Sequence, residues 1–182
     1  PSTCSDGVAV IELIGEIQFA SRGFSGDEAL TPTAAQKQIA WALKEQDVKA
    51  VVLRVNSPGG SSLASDLIWH SVATLSTKKP VIVSMGDVAA SGGYYLSASA
   101  KKIFALPTTL TGSIGVIGIF PHLENFGDKY GINFYTLSDS DRKNLLGFGH
   151  RMTPADKLAI EQQVHDTYKQ FVQVVADGRG KS

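Results

Sequence analysis

One stretch constrains this chain more than any other: Val83-Ser84-Met85-Gly86-Asp87-Val88-Ala89-Ala90-Ser91-Gly92-Gly93-Tyr94-Tyr95-Leu96. The apolar run at residues 80–83 reads as a buried strand. A block of small residues follows, and residues 94–100 have helical composition. Two readings stand on this stretch alone. Either the small residues let a helix sit tightly on a sheet, or they present Ser91 as a nucleophile. In the second reading, the glycines admit a substrate backbone and the helix N-terminus turns N–H groups toward the serine oxygen.

The flanking sequence sets the context. Residues 7–17 and 50–55 are strands with few polar residues, suited to a buried sheet. Thr31-Pro32-Thr33 opens a helix to about residue 46, and a second helix spans residues 63–75. Shorter strands are expected at residues 103–106 and 132–137, a Gly-rich β-branched stretch at 108–118, and a short helix at 123–130. Residues 138–151 read as a polar loop. Thr153-Pro154 opens a final helix with Leu158, Ile160, Val164, Tyr168, Phe171, Val172 and Val175 at helical spacing. Strands alternating with helices predict an α/β domain with a mainly parallel sheet and flanking helices, covering residues 1–182 as one domain. Ligand chemistry in such folds sits at the carboxyl ends of strands. The loop Asn56-Ser57-Pro58-Gly59-Gly60 and the turn at Ser91 both follow buried strands, so they belong on one edge.

Two such loops suggest an oxyanion hole for acyl transfer, with Gly59 and Ser91 each supplying a backbone N–H. Lys+Arg and Asp+Glu are both 17, and the basic residues are scattered. That pattern does not favour a nucleic-acid partner. Cys4 is the only cysteine, so the chain has neither an internal disulfide nor a thiol metal set; it reads as part of a frayed end. No metal or cofactor is expected. No apolar run reaches the ~20 residues that span a bilayer. Pro1 and the Gly178-Arg179-Gly180-Lys181-Ser182 end suggest a piece of a longer protein. A serine nucleophile needs a base. The candidates are His70, His122, His150 and His165, or a lysine whose pKa is brought down by desolvation or a nearby cation.

Three segments carry a specific resemblance. Val51-Val52-Leu53-Arg54-Val55-Asn56-Ser57-Pro58-Gly59-Gly60, residues 85–95 around Ser91, and Leu110-Thr111-Gly112-Ser113-Ile114-Gly115-Val116 resemble the signal peptide peptidase A family in sequence and order. The final helix resembles it too. The resemblance implies a ClpP/crotonase-like ββα superhelix and a Ser-Lys peptidase without cofactor. It matches Ser91 to the nucleophile, Gly59 to the oxyanion glycine, and Ser113 to the serine that holds the lysine. Lys143 stands at the spacing of the base in the family's short form, with Met152-Thr153 just beyond. In the long, two-domain form the lysine comes from another half. The local context of Lys143, between Ser140-Asp141-Arg142 and Asn144, departs from the short form. Gly60, Gly92 and Tyr94 would line the substrate groove. Tyr95, Ile117, Ile119 and Phe120 would either join it or belong to the core.

The family further implies a signal-peptide substrate, a homo-oligomeric ring, attachment to the membrane through sequence missing from this chain, and a place on the extracytoplasmic side of the bacterial cytoplasmic membrane. Three alternatives remain. One is a crotonase-type acyl-CoA enzyme. Another is a half-domain whose lysine comes from elsewhere. The third is a ClpP-type Ser-His-Asp peptidase using His122 or His150.

Overall fold

The computed structural model describes residues 3–20, 28–121, 123–134 and 152–180. Two compact units are distinguished: Pro1–Gly115 with Gln170–Ser182, and Val116–Lys169. Lys143, His122 and His150 lie outside the described residues.

The first unit is built on a sheet in the order β1 (Thr3–Ser5), β2 (Val8–Ile14), β3 (Ala50–Ser57), β4 (Val81–Ala90) and β5 (Lys102–Phe104), with β6 (Leu110–Gly112) also paired to β4. Every pairing is parallel except β1 with β2. Cys4 sits in that antiparallel pair opposite Ala9, so it is a strand residue and not part of a frayed end.

Helices α1 (Pro32–Lys44) and α2 (Ser62–Ser76) begin at polar caps. The Thr31 Oγ1 accepts from the Ala34 N–H at 3.2 Å, and the Ser61 Oγ accepts from the Ala64 N–H at 3.3 Å. Both helices pack on one face of the sheet. Ala35, Ile39 and Ala42 of α1, with Ala64, Ile68, Val72 and Leu75 of α2, form one core with Ile11, Leu13, Val51, Leu53, Val55, Val81 and Val83. Each large aliphatic buried there contributes about 1.5–3 kcal/mol relative to exposure. The strands read as suited to a buried sheet, and burial alternates along β2 and β3. Val10, Val52 and Ile82, on the opposite face, are only half-buried.

Strand β4 is longer than its apolar run because a bulge carries it through Gly86 and Asp87. Val55 pairs with Met85, yet Ser57 pairs with Ala89, so β4 holds two extra residues there. Side chains supply what the ladder loses. The Asn56 Oδ1 accepts from the Val88 N–H at 3.1 Å, and the Thr109 hydroxyl donates to the Gly86 carbonyl at 2.9 Å. A Cβ at Gly86 would come within 2.8 Å of the Asn56 Oδ1, so only glycine admits this arrangement. Before the bulge, β4 pairs with β5 through residues 82–84; after it, with β6 through residues 88–90. The bulge thereby redirects the strand toward Ser91.

Helix α3 (Gly92–Ser97) follows Ser91 directly. The C-terminal turns of α5 (Pro154–Arg179) pack against it, with Phe171 and Val174 in a second cluster with Tyr95 and Ala98. The stripe expected on α5 is shifted: Val174 is buried while Val172 is 42% exposed.

In the second unit, α4 (Glu124–Tyr130) ends at Gly131 in the left-handed conformation, φ 68°. The Ile132 N–H donates back to the Gly127 carbonyl at 2.8 Å. That bond closes the helix and takes Ile132 out of the strand expected at 132–137. Residues 132–134 are not in a strand, and the remainder lies outside the described residues.

Candidate active site

Ser91 occupies the junction of β4 and α3 with φ 50° and ψ −119°. A non-glycine residue held there costs about 1–3 kcal/mol, which the surroundings must offset. The N–H groups of Tyr94 and Tyr95 donate to the Ser91 carbonyl at 3.0 and 2.9 Å. The Ser91 N–H donates to the Gly112 carbonyl of β6 at 2.9 Å. That N–H, expected as an oxyanion donor, is therefore engaged, because β6 continues its pairing with β4 up to the turn. The next N–H, that of Gly92, makes no hydrogen bond among the described residues.

The loop after β3 lies directly on this turn. Gly59 has φ +98°, and a Cβ on it would come within 2.7 Å of the Gly92 nitrogen and 2.8 Å of the Ser91 Cβ. Its N–H is buried and donates to the Ser57 Oγ at 3.2 Å. Gly60 packs on the Ile17 carbonyl, and Gly93 on the Ser57 carbonyl, with no room for a side chain at either. Gly92 is closed in by the Ser65 Oγ and Ile17. Its small size therefore serves packing against α2. The two Gly-rich segments meet at backbone contact.

The remaining expected residues fall as follows. Ser113 follows Gly112, whose partner in register is Ala90, and it is exposed with φ 51°. Tyr94 is half-buried, Tyr95 is buried, and Ile117 and Ile119 are exposed. His70 and His165 are exposed.

Several supporting residues were not singled out from the sequence. Asn56 supports the bulge, and Ser57 faces the Gly59 N–H. The Thr111 hydroxyl donates to the Ala89 carbonyl at 2.9 Å. Asp66 and Gln170 reach Tyr95 from α2 and α5. Only Asn56 and Ser57 carried a signal, a polar pair leading into Pro-Gly-Gly. The others depend on contacts between distant segments. Burial, then the hydrogen bond to Asp66, pushes the Tyr95 phenol well above its usual range.

A family model described as Peptidase family S49 matches residues 73–182, more than half of the chain. The chain belongs to peptidase family S49. A Clp protease model also matches, over residues 25–111, in keeping with the parallel α/β sheet. Among the relatives, "Protease 4" of Haemophilus influenzae is 37% identical over 94% of this chain and 28% of its own length. The "Serine protease SPPA, chloroplastic" of Arabidopsis thaliana is 37% identical over 91% of this chain and 25% of its own. A "Putative signal peptide peptidase SppA" of Enterococcus faecium is 36% identical over 75% of this chain and 40% of its own. The chain thus spans well under half the length of these curated relatives. The Ser91 turn and β6 lie inside the segment that matches family S49, and the Gly59 loop lies inside the Clp protease match. Among the described residues of this S49 chain, no cluster of His, Cys, Asp or Glu could hold a metal, and no helix is long and apolar enough to cross a membrane.

Proposed function

We propose that this chain is the catalytic part of a serine endopeptidase with Ser91 as nucleophile and Lys143 as general base. One observation carries the reading: Ser91 sits at φ 50°, ψ −119° on a strand-to-helix turn, with Gly59 packed against it and the Gly92 N–H beside it. Strain of this kind persists where function needs a fixed exposure of one side chain.

In the proposed reaction, neutral Lys143 takes the Ser91 proton as the oxygen attacks a peptide carbonyl. The Gly59 and Gly92 N–H groups stabilise the oxyanion, with Gly92 in the place first expected of Ser91. The Gly59 N–H exchanges its neutral partner, the Ser57 hydroxyl, for a charged and stronger acceptor. The leaving amine takes a proton from the lysine, and water then hydrolyses the ester with the lysine again as base. Ser113, one residue past the Ala90–Gly112 pair, would hold the lysine. Gly60 and Tyr94 would border the peptide.

The proposed substrates are cleaved signal peptides or other membrane-associated peptides. The name of the Enterococcus relative supports that class. A homo-oligomeric ring, attachment to the membrane through sequence outside this chain, and an extracytoplasmic location complete the proposal. A second reading of the base has one observation in its favour. The chain covers 28% of the Haemophilus relative, so the lysine can belong to another part of the longer protein.

The test uses the full-length protein with a fluorophosphonate probe and a fluorogenic peptide. Ser91→Ala should abolish both labelling and hydrolysis. Lys143→Ala should abolish hydrolysis with the fold intact. Full hydrolysis by Lys143→Ala would move the base to another part of the protein. Labelling retained by Ser91→Ala would reject the nucleophile.

A further inference from the structure

Helix α3 has only six residues and no side-chain hydrogen bond at its N-cap, Ser91. A helix that short does not hold its own geometry in water. Yet its first turn fixes the Ser91 carbonyl through the Tyr94 and Tyr95 N–H groups. Whatever locates Tyr95 therefore locates Ser91.

Tyr95 is held on three sides. Its ring meets Trp69 of α2 edge-on at 5.7 Å and Phe171 of α5 at 5.0 Å. Its hydroxyl donates to the Asp66 Oδ1 at 2.6 Å, within the short range of an O–H bonded to a carboxylate. Gln170 of α5 spans the pair, its Nε2 donating to the Asp66 Oδ1 at 3.0 Å and to the Tyr95 oxygen at 3.3 Å. Asp66 also follows Ser65, whose Oγ closes on Gly92. Two consecutive residues of α2 thus grip the start and the middle of α3. The aromatic contacts alone would bury the ring. The hydroxyl pair adds a fixed direction, because a hydrogen bond weakens steeply when its angle changes.

We propose that Asp66, acting through the Tyr95 hydroxyl, is a positioning residue for the Ser91 turn, setting the orientation in which the serine oxygen attacks. The inference rests on Ser91 being the nucleophile. Asp66 touches neither substrate nor the reacting atoms. Its effect is on how often the serine stands in the attacking geometry, so it acts on the rate of acylation and leaves peptide affinity alone.

The experiment measures, in the full-length protein, fluorophosphonate acylation of Ser91 and kcat and KM for a fluorogenic peptide. Tyr95→Phe and Asp66→Leu should each lower the acylation rate and kcat roughly 10–100-fold with KM unchanged, the scale of an ångström-level misplacement. The double variant should be no slower than either single one, since both remove the same bond. Asp66→Asn keeps an acceptor oxygen for the phenol and should recover most of the rate lost in Asp66→Leu. Should Tyr95→Phe fail to fold, the comparison of Asp66→Asn with Asp66→Leu carries the test. Wild-type rates in Tyr95→Phe and Asp66→Leu would overturn the proposal. So would Asp66→Asn as slow as Asp66→Leu, or losses confined to KM and melting temperature. Ser91→Ala runs in parallel. If it still labels, both readings fall; if it does not label and Tyr95→Phe is unaffected, only the positioning role falls.

Discussion

Replacing Gly59 by alanine tests whether the two Gly-rich segments build the site by direct contact. The backbone there has φ +98°, which an L-residue adopts only under strain. The added Cβ would lie 2.7 Å from the Gly92 nitrogen, 2.8 Å from the Ser91 Cβ and 3.1 Å from the Ala90 carbonyl oxygen. None of these is the far end of a flexible side chain, so relief requires the Ser91 turn itself to move. Backbone strain and overpacking each cost about 1–3 kcal/mol, giving a total of about 2–6 kcal/mol. Each kcal/mol lowers the melting temperature of a chain this size by about 2–4 °C. The same displacement pushes the Gly92 N–H off the position it would hold toward an oxyanion, and loss of one such donor costs about 10²–10³ in rate. Gly131→Ala is the control. It has φ +68° and open space around its Cβ position, so it carries the strain without the clash. Thermal melts and fluorophosphonate labelling of both variants separate the effects. Gly59→Ala should melt lower and label at least about a hundredfold more slowly, whereas Gly131→Ala should melt slightly lower and label normally. Wild-type labelling by a folded Gly59→Ala would refute the contact between loop and turn as the basis of the site.

Ser91→Gly should abolish labelling yet raise the melting temperature by about 2–4 °C, because glycine relieves roughly 1 kcal/mol of strain at φ 50°; an unchanged or lower melting temperature contradicts the strain. Asn56→Ala removes the acceptor of the Val88 N–H in the bulge and should cost about 1–3 kcal/mol in denaturant unfolding; a smaller loss would mean that the N–H finds another partner. The Tyr95 phenol is raised by burial and then by Asp66. A raised folded-state pKa means that its contribution to stability is fully present below the unfolded value of about 10 and is lost as pH rises through the higher folded value. Tyrosinate absorbance should therefore show one phenol still protonated when exposed tyrosines have ionised, and Tyr95→Phe should remove that late step.

Much of the first unit was legible because its signals are local. Thr31-Pro32 marks the start of α1, and the apolar runs of β2 and β3 mark buried strands. Strand β4 was read short because Gly86 and Asp87 disfavour a strand. What keeps them in one is Asn56 and Thr109, 32 and 23 residues away from their partners in sequence. Ser91 and Gly59 stood out as small-residue motifs. Which N–H groups stay open did not, because the engagement of Ser91 depends on pairing with Gly112. The expected stripe of α5 failed at Leu158, Tyr168 and Val172, which are exposed, while Val174 is buried, because helical spacing alone leaves the neighbouring face open. Lys143, assigned on spacing and resemblance, lies outside the described residues.

The pairing of Ser91 with β6 has a consequence in time. A chain emerging from its N-terminus can close β2, β3 and β4 under α1 and α2 before Gly112 exists. At that stage Ser91 is already in the chain, but the partner that fixes its N–H is still to be made. Strand β6 is three residues long and comes last in sequence among the described strands of the sheet. A nascent chain therefore owns its core before it owns an aligned serine.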